Sequence, residues 1–105
     1  MEIEILHIAE CPNWQEAGDR VAAALGELGA GNVPVRFTLL TTPEAAARVP
    51  FAGSPTILVD GIDAFPTDSL TTDLACRVYQ IGGRFSGTPS LTDIRDVLAA
   101  RIASE

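Results

Sequence analysis

At 105 residues the chain has the length of one domain, enough to bury a core without a disulfide or a structural metal. Hydrophobic residues make up 47% of it, which suits a compact globule and argues against disorder. Fourteen acids stand against seven arginines, with no lysine, for a net charge of -7; such a surface repels phosphate backbones and argues against nucleic-acid or anionic-membrane partners.

Residues 2–9 alternate and then run apolar, as Glu2-Ile3-Glu4-Ile5-Leu6-His7-Ile8, which suits a buried first strand. From Asn13 the apolar positions Trp14, Ala17, Val21, Ala24, Leu25 and Leu28 have the spacing of one helical face. Pro12 fits the start of that helix, where its missing N–H is not required, and Gly29-Ala30-Gly31-Asn32 stops it. Val33 to Leu40 reads as the second strand. Thr42-Pro43-Glu44 then supplies an N-cap, a first-turn proline and a first-turn acid for a short helix, Glu44 to Arg48, ending before Pro50.

A third strand, Thr56 to Val59, meets Asp60-Gly61, the strongest short hairpin signal, and a fourth strand returns over Ile62 to Phe65. Asp60 is accounted for by that turn. Ser90 and Asp93 form an acidic capping box for a last helix whose packing face is Leu91, Ile94, Val97, Leu98 and Ile102. Between them Pro66 to Pro89 is rich in Thr, Gly and Ser and holds Cys76-Arg77-Val78-Tyr79. That stretch is too long for an ordinary connection, so it is either a functional loop or carries an extra short helix. The order is βαβαββα, in a single domain over residues 1–105. The first two strands should be parallel with a right-handed crossover, and the hairpin antiparallel.

No run approaches the ~20 apolar residues needed to span a bilayer. Met1 is followed by acids and a strand pattern rather than a basic stretch and a cleavable apolar run. The expected compartment is therefore cytoplasmic, where two cysteines stay reduced unless they are catalytic or bind metal.

The chemistry concentrates at Cys11, where the first strand gives way to Pro12 and the helix. A thiol on the first turn of a helix meets unpaired N–H groups and roughly +0.5 charge, which favour the thiolate. In such sites a thiol pKa of about 8.5 falls to roughly 3.5–7.5. The usual redox partner three residues on is absent, because the run reads Cys11-Pro12-Asn13-Trp14. The bland alternative is a small buried hydrophobe. His7, on the strand, shares a face with Ile3, Ile5 and Cys11 and reads as a core histidine ahead of a general base. Arg77 and Tyr79 either orient a ligand near Cys76 or serve the packing of the loop. No phosphate loop, zinc-type cysteine pair or Ser/His/Asp set is present in the sequence.

Cys11-Pro12-Asn13-Trp14 between first strand and first helix, the strand–helix order of the whole chain, and Gly53-Ser54-Pro55-Thr56 together resemble the thioredoxin family. The resemblance implies a thioredoxin-like α/β sandwich, with a mixed four-stranded sheet and helices on both faces. It further implies a cis Ser54–Pro55 bond in a loop facing Cys11, whose backbone pairs with an extended peptide or thiol ligand. Cys11 is then the attacking thiol, with Pro12, Trp14, Ser54 and Pro55 at the substrate groove and no cofactor. The partner is a small thiol, a disulfide or a protein disulfide. Trp14 stands where the resolving cysteine belongs, so release of a mixed disulfide needs another thiol, either glutathione or Cys76. The chain has no lysine and no basic cluster for the carboxylates of glutathione.

A fainter resemblance, over Cys11, Ser54 to Gly61 and Leu74-Ala75-Cys76-Arg77, is to the core of organomercurial lyases. It implies Cys11 and Cys76 as a pair of thiolates for a soft metal. The carboxylate those enzymes use is replaced here by Trp14, leaving Asp60, Asp63 or Glu10 as substitutes. A third expectation is an inactive thioredoxin-like interaction module.

Overall fold

The computed structural model describes residues 1–104. Among the described residues the chain forms β1 (Ile3–His7), α1 (Asn13–Glu27), β2 (Val35–Leu39), α2 (Pro43–Ala47), β3 (Thr56–Val59), β4 (Ile62–Asp63), β5 (Tyr79–Ile81), β6 (Arg84–Ser86) and α3 (Leu91–Ala103). The first four strands make one mixed sheet in the order β2-β1-β3-β4. β1 runs parallel to β2, with Ile5 beside Phe37, and antiparallel to β3, with Ile5 beside Ile57. β3 returns antiparallel as β4 through Asp60 and Gly61, whose φ angles of 53° and 80° are those a tight hairpin turn requires.

The pleat of the two central strands sorts their side chains into two cores. Ile3, Ile5, Ile57 and Val59 face Ala17, Val21, Ala24 and Leu25 of α1 and Ile94 and Leu98 of α3. Leu6, Ile8 and Leu58 face the other way, toward Leu40, Ala46 of α2, Phe51 and Cys11. With helices covering both faces, every residue of β3 is buried, which is why apolar Ile57, Leu58 and Val59 follow one another without alternation. Cys11 thus lies on the α2 side of the sheet. His7 and Ile5 belong to the α1 side, so the expected common face of His7 and Cys11 is not formed.

Local chemistry sets the ends of the helices. The Thr42 hydroxyl accepts from Ala45 N–H at 3.1 Å, and Pro43 opens α2. Ser90 and Asp93 exchange side-chain and backbone bonds in a full capping box on α3. α1 closes where Gly29 takes a φ of 72° and Ala30 N–H reaches back to Leu25 C=O at 2.8 Å.

Two expectations change. β4 stops at Asp63, because the Asp63 carboxylate accepts from Phe65 N–H at 2.8 Å and curls the chain away from the sheet. The stretch 66–89 holds no helix. It contains a second sheet, the hairpin β5–β6, with Gln80 beside Phe85 and a turn at Gly82–Gly83, both with positive φ. The Gly-Gly pair between two short β-prone runs is the sequence signal for it. Among the described residues no helix is long and apolar enough to cross a membrane.

Ile5 is fully enclosed between β2, β3 and α1. Ile5→Ala is expected to lower the unfolding free energy by about 2–5 kcal/mol, read from urea denaturation with an unchanged m-value.

Candidate functional site

Cys11 and Cys76 are joined in a disulfide across 65 residues of sequence, with their Cα atoms 5.8 Å apart. They reach that position by different routes. Cys11 follows β1 and directly precedes Pro12, the residue that caps α1, and is 0% exposed. Cys76 lies on the far segment between β4 and β5 and is exposed. Asn13 Nδ2 donates toward Cys11 Sγ at 3.8 Å, and Cys11 Sγ lies 3.5 Å from Ser54 C=O.

Ser54 is where the segment docks. Its N–H donates to Ala75 C=O and its C=O accepts from Arg77 N–H, both at 2.9 Å, forming an isolated parallel bridge opposite Cys76. Its hydroxyl accepts from Ile8 N–H at 3.1 Å, so the same residue also ties the loop to the end of β1. The Ser54–Pro55 peptide is cis. Thr56 Oγ1 donates to Gly53 C=O at 2.6 Å and accepts from Ala52 N–H, closing the loop from below. The backbone groups of Ser54 are therefore occupied by the chain's own residues 75–77.

The next residue, Arg77, anchors the segment. Its guanidinium pairs with the Asp63 carboxylate at 2.9 Å, donates to Phe65 C=O at 2.5 Å and lies over the Tyr79 ring, 4.2 Å from its centre. Both charged side chains are more than nine-tenths buried, and a buried pair holds only with such additional hydrogen bonds. Tyr79 donates its hydroxyl to Pro55 C=O at 2.5 Å, and burial pushes the phenol pKa far above its ordinary value. Thr71 N–H to Phe51 C=O at 2.9 Å and Arg20 Nη1 to Pro89 C=O at 2.7 Å hold the segment's two ends.

Of the residues singled out in the sequence, Cys11, Cys76, Ser54 and Pro55 come together, with Arg77 and Tyr79 behind them. Pro12 is exposed beside Cys11. Trp14 points elsewhere: it stacks on His7 at 4.3 Å between ring centres and meets Phe37 edge-on, against the α1-side core. Asp60 accepts from Glu2 N–H at 2.8 Å and Asp63 is engaged with Arg77, so each has a structural task. Glu10 is exposed. Among the described residues no group of three or more His, Cys, Asp or Glu side chains is placed to hold a metal ion. Asn13 was visible only as part of the half-motif; its amide contact depends on the hairpin's exit, where a Cβ at Gly87 would run into the Asn13 side chain.

His7 is buried, and among the described residues its Nδ1 has no hydrogen-bond partner. Burial lowers its pKa, with the Ile8 backbone acting in the opposite direction. A histidine buried neutral stabilises the fold fully above its unfolded value of 6.5, and that stability is lost as the pH falls below it.

Gly53 has a φ of 103°, and a Cβ there would lie 2.8 Å from the Arg77 Cα. Gly53→Ala is expected to cost about 2 kcal/mol or more and to slow re-formation of the disulfide after reduction. Gly61→Ala, at a φ of 80° with open space around it, should leave that rate unchanged. For His7, the melting temperature should fall between about pH 8 and about pH 5 by more in the wild type than in His7→Phe, where the titrating group is gone.

Compared with protein-family models, curated proteins and solved structures, the chain finds no significant match among them.

Proposed function

We propose that this is a thioredoxin-like protein whose Cys11–Cys76 pair exchanges with an external small thiol, disulfide or protein disulfide. The observation that carries the reading is the disulfide between a buried cysteine just before the N-cap of α1 and an exposed cysteine on a docked segment. The sheet order β2-β1-β3-β4, with β1 parallel to β2 and antiparallel to β3, supports the fold assignment, as does Ser54–Pro55 beside Cys11.

Exchange proceeds by thiolate attack on sulfur, and it runs best when the departing sulfur is a stabilised anion. Cys11 has the means for that. It precedes the first turn of α1, where the helix dipole favours negative charge, and Asn13 Nδ2 donates toward its sulfur. Cys76 supplies the second sulfur that the half-motif lacks. The pair cycles between disulfide and dithiol, so no cofactor enters.

The nearness of the two sulfurs also suits a second reading, in which the reduced pair holds a two-coordinate soft metal such as mercury. Carbon–mercury cleavage gains no support, because Asp60 and Asp63 are engaged in structural bonds and Trp14 faces the opposite core.

The exchange reading predicts thiolate behaviour at Cys11. In reduced Cys76→Ser protein, alkylation of Cys11 should vary little between about pH 6 and 8, and Asn13→Ala should steepen that dependence. A rate falling about tenfold for each pH unit over this range, as for an unactivated thiol, would sink the proposal.

A further inference from the structure

We infer that Cys76 is the sulfur that bonds to the partner's sulfur, and that Cys11 is the inner thiolate that departs when the pair opens and attacks when it closes. The inference rests on the exchange reading above. It inverts the order expected from the thioredoxin resemblance, in which the cysteine before the helix meets the substrate.

Access decides the order. A thiolate displaces one sulfur of a disulfide in line with the bond, arriving from the side away from the departing sulfur. Cys11 is 0% exposed and enclosed with Leu6, Ile8 and Phe51, so the in-line path to its Sγ runs through packed core. Cys76 is exposed, as are Ala75 before it and Val78 two residues on. Baring Cys11 from the side of the segment means lifting residues 75–77 off Ser54 and pulling Arg77 from its ion pair with Asp63.

The departing side agrees with the attacking side. Negative charge forming on Cys11 Sγ meets the Asn13 amide and the start of α1, and the better-stabilised thiolate is the better leaving group. When the thiol takes up a proton, Ser54 C=O at 3.5 Å is its acceptor. In the step that opens the pair, Cys76 exchanges one S–S bond for another, so the charge of that step falls on Cys11.

In the reducing direction, a partner thiolate attacks Cys76 Sγ. The partner–Cys76 bond forms, the Cys11–Cys76 bond breaks, and the electron pair leaves on Cys11. A second partner thiol then attacks the partner sulfur, releasing Cys76 as thiolate and the partner as its disulfide. The protein gains two electrons and two thiols lose them. In the oxidising direction, Cys76 thiolate opens a partner disulfide and expels one thiolate. Cys11 then attacks Cys76 Sγ and expels the second. Arg77, fixed by Asp63 and Tyr79, keeps Cys76 within reach of Cys11 throughout.

The test uses the oxidised full chain with glutathione as the probe, quenched in acid after brief exposure and mapped by mass spectrometry of its peptides. Glutathione should be found on Cys76 in at least about tenfold excess over Cys11. Reduced Cys11→Ala should likewise form its mixed disulfide with oxidised glutathione at least about tenfold faster than reduced Cys76→Ala. The wild-type map guards against loosening of the segment in the variants. Glutathione found chiefly on Cys11 overturns the assignment and leaves the exchange reading standing. A folded protein whose disulfide exchanges at neither sulfur overturns both.

Discussion

The arrangement depends on one residue whose every hydrogen-bonding group is committed. Ser54 donates its N–H to Ala75 C=O, while its C=O accepts from Arg77 N–H and its hydroxyl oxygen from Ile8 N–H. It thereby binds the end of β1, the loop before β3 and a segment more than twenty residues further on. A buried backbone group left unpaired costs about as much as a lost hydrogen bond, so the segment and the loop have to be satisfied together. The Cys11–Cys76 disulfide is the covalent expression of a contact that the backbone already makes.

The Arg77–Asp63 pair shows a similar trade. Removing two charges from water is expensive, and the attraction between them offsets that cost only with good geometry and further donors and acceptors. Here the Phe65 carbonyl, the Tyr79 ring and the Tyr79–Pro55 hydrogen bond complete the set. An apolar filling of the same space would be easier to desolvate, but it would not fix the direction of the chain. The pair specifies where the segment sits, and Cys76 is its immediate neighbour. Trp14, His7 and Phe37 stack into a separate aromatic group that belongs to packing rather than to the sulfurs.

Two sulfurs of one bond therefore live in unlike surroundings. Cys11 has core on one side and a helix start on the other, while Cys76 has solvent. That asymmetry gives the pair a direction, which a disulfide between two equivalent cysteines would lack. Where Trp14 stands three residues after Cys11, the second sulfur comes instead from across the chain, on a segment docked against Ser54.

Much of the framework was legible in the sequence because it rests on local chemistry. The 3.6-residue spacing from Trp14 to Leu28, the Thr42-Pro43 start, the Asp60-Gly61 turn and the Ser90/Asp93 box each act within a few residues, and each element lies where that chemistry puts it. The apolar run that ends β1 and the Thr56–Val59 stretch before Asp60-Gly61 likewise marked strands that the sheet contains. Gly82-Gly83 carried a legible turn signal too, though the composition around it disguised the hairpin. What the sequence could not decide was the course of residues 66–89 and the side of the sheet on which Cys11 lies. Those depend on the Ser54 bridge, the burial of Arg77 against Asp63 and the reach of Tyr79 to Pro55, contacts between residues 12 to 24 positions apart. No periodicity encodes such pairings. They are selected only when the folded sheet brings the unsatisfied groups of one loop against those of another, and the partner of Cys11 was settled there.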